Sequence, residues 1–189
     1  MENIKEDLRI KKTKEAIRTT FIQMMGEMDY SKITIKELTV RARINRRTFY
    51  LHYSKLEDLL REIQIELMIN FSNKTKGLKK PRDTEKITRI FFNEVEKSGK
   101  LGEKIVCDTN NEYILNTIRN GIMEQYPEQA EFSDGLTRYK YNIVLRFLYE
   151  STYAIYRQWV ADGKKIPLED VIELAISLVC TGSNSWKEP

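Results

Sequence analysis

The stretch that most constrains this chain runs from Thr34 to Lys55, TIKELTVRARINRRTFYLHYSK. Thr34 has the chemistry of a helix N-cap, because its hydroxyl can accept from an orphan backbone N–H. Glu37, three residues on, completes the spacing of a capping box. Ile35, Leu38 and Ala42 recur at helical spacing and give a first short helix one apolar face. Asn45 can cap a second helix, with Ile44 stapling the turn to the core. In that second helix Phe49 and Tyr53 stand four apart and point inward together. Arg46, Arg47, Tyr50 and His52 are left facing outward. Two short helices around a tight turn form a helix-turn-helix, which lays its second helix in the major groove of DNA.

The longer stretch ITIKELTVRARINRRTFYLHYSKLEDLL resembles the DNA-binding signature of the TetR family of bacterial transcriptional regulators. The resemblance rests on Thr34 opening the second helix, on Thr48-Phe49-Tyr50-x-His52-Tyr53, and on Glu57-Asp58-Leu59-Leu60. It covers roughly residues 9–70; the remainder is similar in being helical and of suitable length. Two positions depart from the family pattern. Arg43 occupies the turn where the family usually has a small residue, often Gly. Leu56 stands where the family usually has a phosphate-touching Lys, and the Lys of this chain lies one position earlier, at Lys55.

Charge distribution agrees with the motif. From Tyr30 to Leu56 there are seven Lys or Arg and one acid, a net +6, whereas residues 78–189 carry 16 basic and 17 acidic side chains, a net −1. A basic reader joined to a near-neutral body is the pattern of a nucleic-acid-binding protein. A solvated charged face would give the same charge without the motif.

At 189 residues, 41% hydrophobic and 32% charged, the chain has the composition of a helix-rich protein with a real core. Only 8 Gly and 4 Pro argue against a fold of sheets and turns. No run of 18 apolar residues is present, so no membrane span is expected. The start, MENIKEDLRIKK, lacks the apolar stretch of a secretory signal, which makes the expected location cytoplasmic. Cys107 and Cys180 read as reduced core thiols.

In order along the chain, residues 5–28 read as a first helix with Ile10, Ile17, Phe21, Met24, Met25 and Met28 on one stripe. Lys11, Lys12 and Lys14 near its start can either meet phosphates or face solvent. Leu56 to about Lys76 reads as a long linking helix capped by Ser54, its positive N-terminal end a seat for phosphate. GLKKPR at 77–82 is the best domain boundary. Helices then follow at 83–97, around 101–107, at 112–125, at 135–161, which is expected to be the longest, and at 168–181, with a frayed tail. The last two are apolar on more than one face, which suggests a second burial surface and a dimer through a four-helix interface. A deeply buried hairpin in a monomer is the alternative; TetR-like regulators dimerise through their last two long helices.

Candidate DNA-binding residues are Thr34, Lys36, Arg43, Asn45, Arg46, Arg47, Thr48, Tyr50, His52 and Lys55. The guanidinium forks of Arg46 and Arg47 match the paired acceptors of guanine. Thr48 can touch a thymine methyl or a phosphate. Thr34, Lys36, Tyr50, His52 and Lys55 are placed to donate to phosphates. Candidate lining for a small-molecule effector pocket is Phe91, Phe92, Tyr113, Ile118, Ile122, Phe147, Tyr149 and Tyr153. The resemblance implies that a ligand there would tilt the linking helix and change the reader spacing. His52 is the only histidine, so neither a Ser–His–Asp constellation nor a zinc site is expected, and no Gly-rich phosphate loop occurs. No cofactor and no catalysis are expected.

The expectation is therefore an all-α protein. Residues 1–54 form a helix-turn-helix DNA-binding domain, 55–77 a linking helix, and 78–189 a helical effector-binding and dimerisation domain. Its function is read as that of a TetR-like regulator, a repressor responsive to a small molecule, binding an inverted repeat of double-stranded DNA as a homodimer. The rival is a helix-turn-helix-shaped interaction module, a coactivator that gains DNA only with a protein partner.

Overall fold

The computed structural model describes residues 2–78, 82–107 and 137–184. Every element among them is helical: α1 (Glu2–Glu27), α2 (Ile35–Arg41), α3 (Arg46–Tyr50), α4 (Leu56–Lys74), α5 (Thr84–Lys97), α6 (Gly99–Cys107), α7 (Arg138–Ala161) and α8 (Leu168–Asn184), with a short 3-10 turn at Tyr30–Lys32. The helix expected at 112–125 and the loop after it lie outside the described residues. Two compact units divide the chain, residues 1–70 with 99–101, and residues 71–98 with 102–189.

In the first unit the periodicity of α1 does what it predicts. Ile17, Phe21, Met24 and Met25 are buried with Ile33, Leu38, Phe49, Tyr53, Leu59 and Ile63. Full burial of each such side chain contributes about 1.5–3 kcal/mol. Ile10, expected on the same stripe, is 46% exposed, because it lies more than a turn before the first buried residue of the helix. Ion pairs Lys14–Glu62 and Arg18–Glu66 tie α1 to α4 along their solvent edge. The expected Ser54 cap of α4 is not made. Helix α4 begins at Leu56, and the Asp58 carboxylate accepts from the Lys55 backbone N–H at 3.1 Å, so the cap works backwards from inside the helix.

The second unit is built on α5, α7 and α8. Phe91, Phe92, Val95, Val106, Tyr156, Trp159, Val171, Ile172 and Ala175 form one apolar cluster. Its aromatic rings meet edge to face: Phe92 and Tyr156 lie 5.5 Å apart between centroids, and Tyr156 and Trp159 5.8 Å. Arg89 on α5 grips Glu169 and Glu173, one turn apart on α8. Helix α7 ends in a Schellman turn. Gly163 takes the left-handed conformation (φ 74°), and the Lys164 N–H reaches back to the Trp159 carbonyl at 2.9 Å. The Lys164 ammonium then sits between Glu96 and Glu103, at 2.7 and 2.8 Å.

Two helix lengths differ from expectation. At 26 residues α1 exceeds α7, which has 24. Helix α8 runs through Gly182 instead of fraying at Thr181. Gly182 is tolerated there because it lies against a ring: a Cβ at this position would stand 2.7 Å from Phe147 Cζ.

Candidate nucleic-acid interface

Helix α3, expected from the sequence to be the recognition helix, has only five residues, too few to hold itself together, so its caps matter. Asn45 supplies the first cap: its side-chain oxygen accepts from the Thr48 backbone N–H at 2.7 Å and from the Thr48 hydroxyl at 2.9 Å. Helix α2 is capped by the Thr34 hydroxyl, which accepts from the Glu37 N–H at 3.2 Å. The capping box is only half formed, since the Glu37 carboxylate turns away to accept from Arg41 at 2.7 Å.

Between the helices the chain makes a second Schellman turn. The Arg43 N–H bonds the Val40 carbonyl at 3.1 Å and the Ile44 N–H bonds the Thr39 carbonyl at 3.0 Å. Arg43 therefore adopts φ 54°, the left-handed region that explains why a small residue suits this position.

Phe49 and Tyr53 are buried, with their rings 5.7 Å apart, and anchor α3 from below. The Tyr53 hydroxyl donates to Glu62 at 3.1 Å. Burial raises the Tyr53 pKa above the usual tyrosine value, and the Glu62 charge raises it further, so the hydroxyl stays a donor. With the inner face held, Arg46 and Arg47 are left exposed in the first turn, and Tyr50 is 56% exposed. Neither arginine has an acidic partner among the described residues. Thr34, Lys36, Arg43, Asn45 and Lys55 are likewise exposed, while Thr48 and His52 are half-buried.

Two details refine the side-chain chemistry. The Thr48 proton is already donated to Asn45, so Thr48 presents to a ligand its methyl group and an acceptor, not a donor. Arg41, counted in the basic tally, is held by Glu27 and Glu37. Hydrogen bonds to Glu27 and then Glu37 raise the Arg41 pKa further above its usual value. Its charge is therefore answered within the protein. Asp58 went unnoticed in the sequence as a capping residue; the only signal for it is an acid three residues after the residue before the helix.

In the second unit a small cavity of about 40 Å³ is walled by Phe71, Ile87 and Phe91 on one side and Leu148, Tyr149 and Tyr153 on the other, with Thr84, Thr88 and Thr152 among them. Of the expected pocket residues, Phe91, Tyr149 and Tyr153 line it. Phe92 is fully buried in the adjoining core, and Phe147 faces outward, 42% exposed. Tyr113, Ile118 and Ile122 lie outside the described residues. Burial raises the Tyr153 pKa above the usual range. No charged side chain lines the cavity among the described residues. No group of three or more His, Cys, Asp or Glu that could hold a metal occurs among them either, and no helix there is long and apolar enough to cross a membrane.

Comparison with known proteins agrees with this geometry. No family model matches the chain. A crystal structure described as a TetR transcriptional regulator from Streptococcus agalactiae 2603V superposes with a TM-score of 0.60 at 25% identity, covering 94% of this chain and 98% of that one. The uncharacterized HTH-type transcriptional regulator YxbF of Bacillus subtilis (strain 168) is 42% identical over 55 residues, 29% of this chain. That match spans only 14% of the relative's own length. The chain thus has the fold of a TetR-type transcriptional regulator, a helix-turn-helix followed by a helical domain. Both similar proteins are transcriptional regulators, a class that is not enzymatic.

Proposed function

We propose that this protein is a DNA-binding transcriptional regulator that acts as a homodimer on an inverted-repeat site and represses until a small molecule enters its helical domain. One observation carries the DNA reading: Arg46 and Arg47 stand exposed, with no acidic partner among the described residues, in the first turn of a short helix fastened from beneath by Phe49 and Tyr53. A guanidinium in that position reaches base edges and can take both major-groove acceptors of guanine. Thr34, Lys36, Arg43, Tyr50, His52 and Lys55 surround it as phosphate contacts, while Asn45 and Thr48 set the helix and offer the Thr48 methyl to a thymine.

Support for the dimer comes from the outer faces of α7 and α8. Ile143, 71% exposed, continues with Tyr139 and Phe147 at helical spacing, and Leu174 and Leu178 do the same on α8. A C2 pairing would cover both rows at once. Support for an effector comes from the aromatic cavity. Phe71 of α4 forms part of its wall, and α4 begins directly after the reader. A ligand seated there would lie against Phe71 of α4.

Fluorescence polarisation of labelled duplexes at several salt concentrations tests the reading. Binding that weakens steeply with salt, and that selection from a random pool enriches for an inverted repeat, is the expected result. Absence of salt-dependent binding to any duplex overturns it.

A further inference from the structure

The cations of the first unit divide by whether the protein already answers them. Lys14 pairs with Glu62, Arg18 with Glu66, Arg41 with Glu27 and Glu37, and Lys32 with Asp29. Arg9 and Lys12 have no acidic partner among the described residues. They lie three apart on α1, and so on one face of it. Together they flank a groove of about 440 Å³ lined by Leu8, Arg9, Lys12, Thr13, Ala16 and Ile44.

The chemistry of that groove is asymmetric. Leu8, Ala16 and Ile44 give it an apolar lining, and Arg9 and Lys12 add two positive charges. Among the described residues no carboxylate lines it, and the Thr13 hydroxyl donates to the Arg9 carbonyl at 2.9 Å. A deoxyribose-phosphate strand has the matching pattern, with an apolar sugar face and an anion at every step. The groove is also continuous with the candidate interface. Ile44, part of its lining, directly precedes the Asn45 cap of α3 and follows the exposed Arg43.

We propose that this groove seats a sugar–phosphate strand of the bound duplex, with Arg9 and Lys12 each pairing with a phosphate. The footprint then extends from the recognition helix onto α1. This rests on the DNA reading above and adds to it a second, sequence-independent contact surface. A phosphate contact orients and strengthens without specifying, so its signature is a change in salt dependence with base preference intact.

The test compares the full-length protein with the Arg9→Ala plus Lys12→Ala variant, and with Lys14→Ala as a control whose cation already has a partner. Each is titrated between 0.05 and 0.3 M salt against the duplex selected by the wild type and against a random duplex. The expected result is a salt slope lower by about 3.6 for the homodimer, from two contacts per subunit at ~0.9 each, with affinity at 0.15 M reduced by about tenfold or more on both duplexes. The order of preference among base substitutions stays unchanged, and Lys14→Ala follows the wild type. An unchanged slope, an equal loss in Lys14→Ala, or an altered base preference overturns the proposal while leaving the DNA reading in place. Failure of the wild type to bind any duplex removes both. Should the alanine pair lower the thermal midpoint, Arg9→Gln plus Lys12→Gln keeps most of each side-chain stem and must give the same loss of slope.

Discussion

The Thr48 hydroxyl donates to the Asn45 side-chain oxygen at 2.9 Å, and the same oxygen takes the Thr48 backbone N–H at 2.7 Å. One amide oxygen thus organises the start of the recognition helix and fixes which face Thr48 can offer. Replacing Asn45 by Ala removes both acceptor contacts at once. It should lower stability by about 1 kcal/mol, within the range of ~0.5–2 measured for lost caps. Asn45→Asp should retain most of that stability, because a carboxylate accepts in the same place. Thermal denaturation followed by far-UV circular dichroism checks both, and equal midpoints for Asn45→Ala and wild type would contradict the cap.

Specificity should rest on the two arginines that the fold leaves unanswered. In Arg46→Ala plus Arg47→Ala each lost bidentate contact costs about 1–3 kcal/mol of discrimination. The double variant should bind selected and random duplexes alike, with helix content and assembly unchanged. Retained preference for the selected duplex would remove these residues from the recognition role.

Arg43 occupies the left-handed turn at φ 54°, and a side chain there costs about 1–2 kcal/mol relative to a glycine that adopts the region freely. Arg43→Gly relieves that strain and loosens the unfolded chain, two effects of opposite sign, so stability should hold within about 1 kcal/mol or rise. Arg43→Val, β-branched in the same conformation, should destabilise by more than the glycine variant does. Urea denaturation of the three proteins gives the order directly, and Val at or above Arg would show that the turn does not impose its conformation.

Assembly should respond to the outward apolar rows. Ile143→Glu plus Leu178→Glu places charges on both, at positions with no role in the buried core. Sedimentation velocity should then report a dimer for the wild type and a monomer for the variant at the same concentration, and duplex affinity should fall because two half-sites would no longer be held together. Unchanged sedimentation would place the subunit interface elsewhere.

Alkaline stability should depend on Tyr156. Its hydroxyl donates to Glu96 at 2.6 Å, and burial, followed by that hydrogen bond, lifts its pKa well above the ordinary value of 10. A group whose folded pKa is raised contributes stability that is complete below its unfolded pKa and lost as pH climbs towards the folded one. The wild type should therefore lose stability above about pH 10, by up to about 1.4 kcal/mol per pH unit from this residue. Tyr156→Phe should show a shallower decline over the same interval, whatever its stability at neutral pH. Parallel curves for the two proteins would mean that the phenol titrates equally in both states.

Much of this architecture is visible from spacing alone, and the reasons for the exceptions are physical. Thr34, Asn45, Phe49 and Tyr53 could be placed because capping and four-residue periodicity are local properties. Ser54 and Thr181 do not mark the helix ends because each end depends on something farther away: a carboxylate one turn inside α4, and a phenyl ring from α7 lying against Gly182. Arg41 looked like the other basic residues of the motif, and only the folded chain shows it held by Glu27 from another helix. The aromatic residues of the second unit were expected to share a pocket, but composition does not separate ring against cavity from ring against core. Phe91 and Phe92 are sequence neighbours, and only the first lines the cavity.

The contact between Gly182 and the Phe147 ring has a consequence for how such a protein can be retuned. A single methyl added at 182 meets Phe147 Cζ at 2.7 Å and must turn the ring, which belongs to the outward row shared with Ile143. No charge is introduced, and the residues placed on DNA are untouched. On the pairing of copies proposed above, the smallest substitution in the genetic code at that position would adjust how two copies meet independently of what sequence they read.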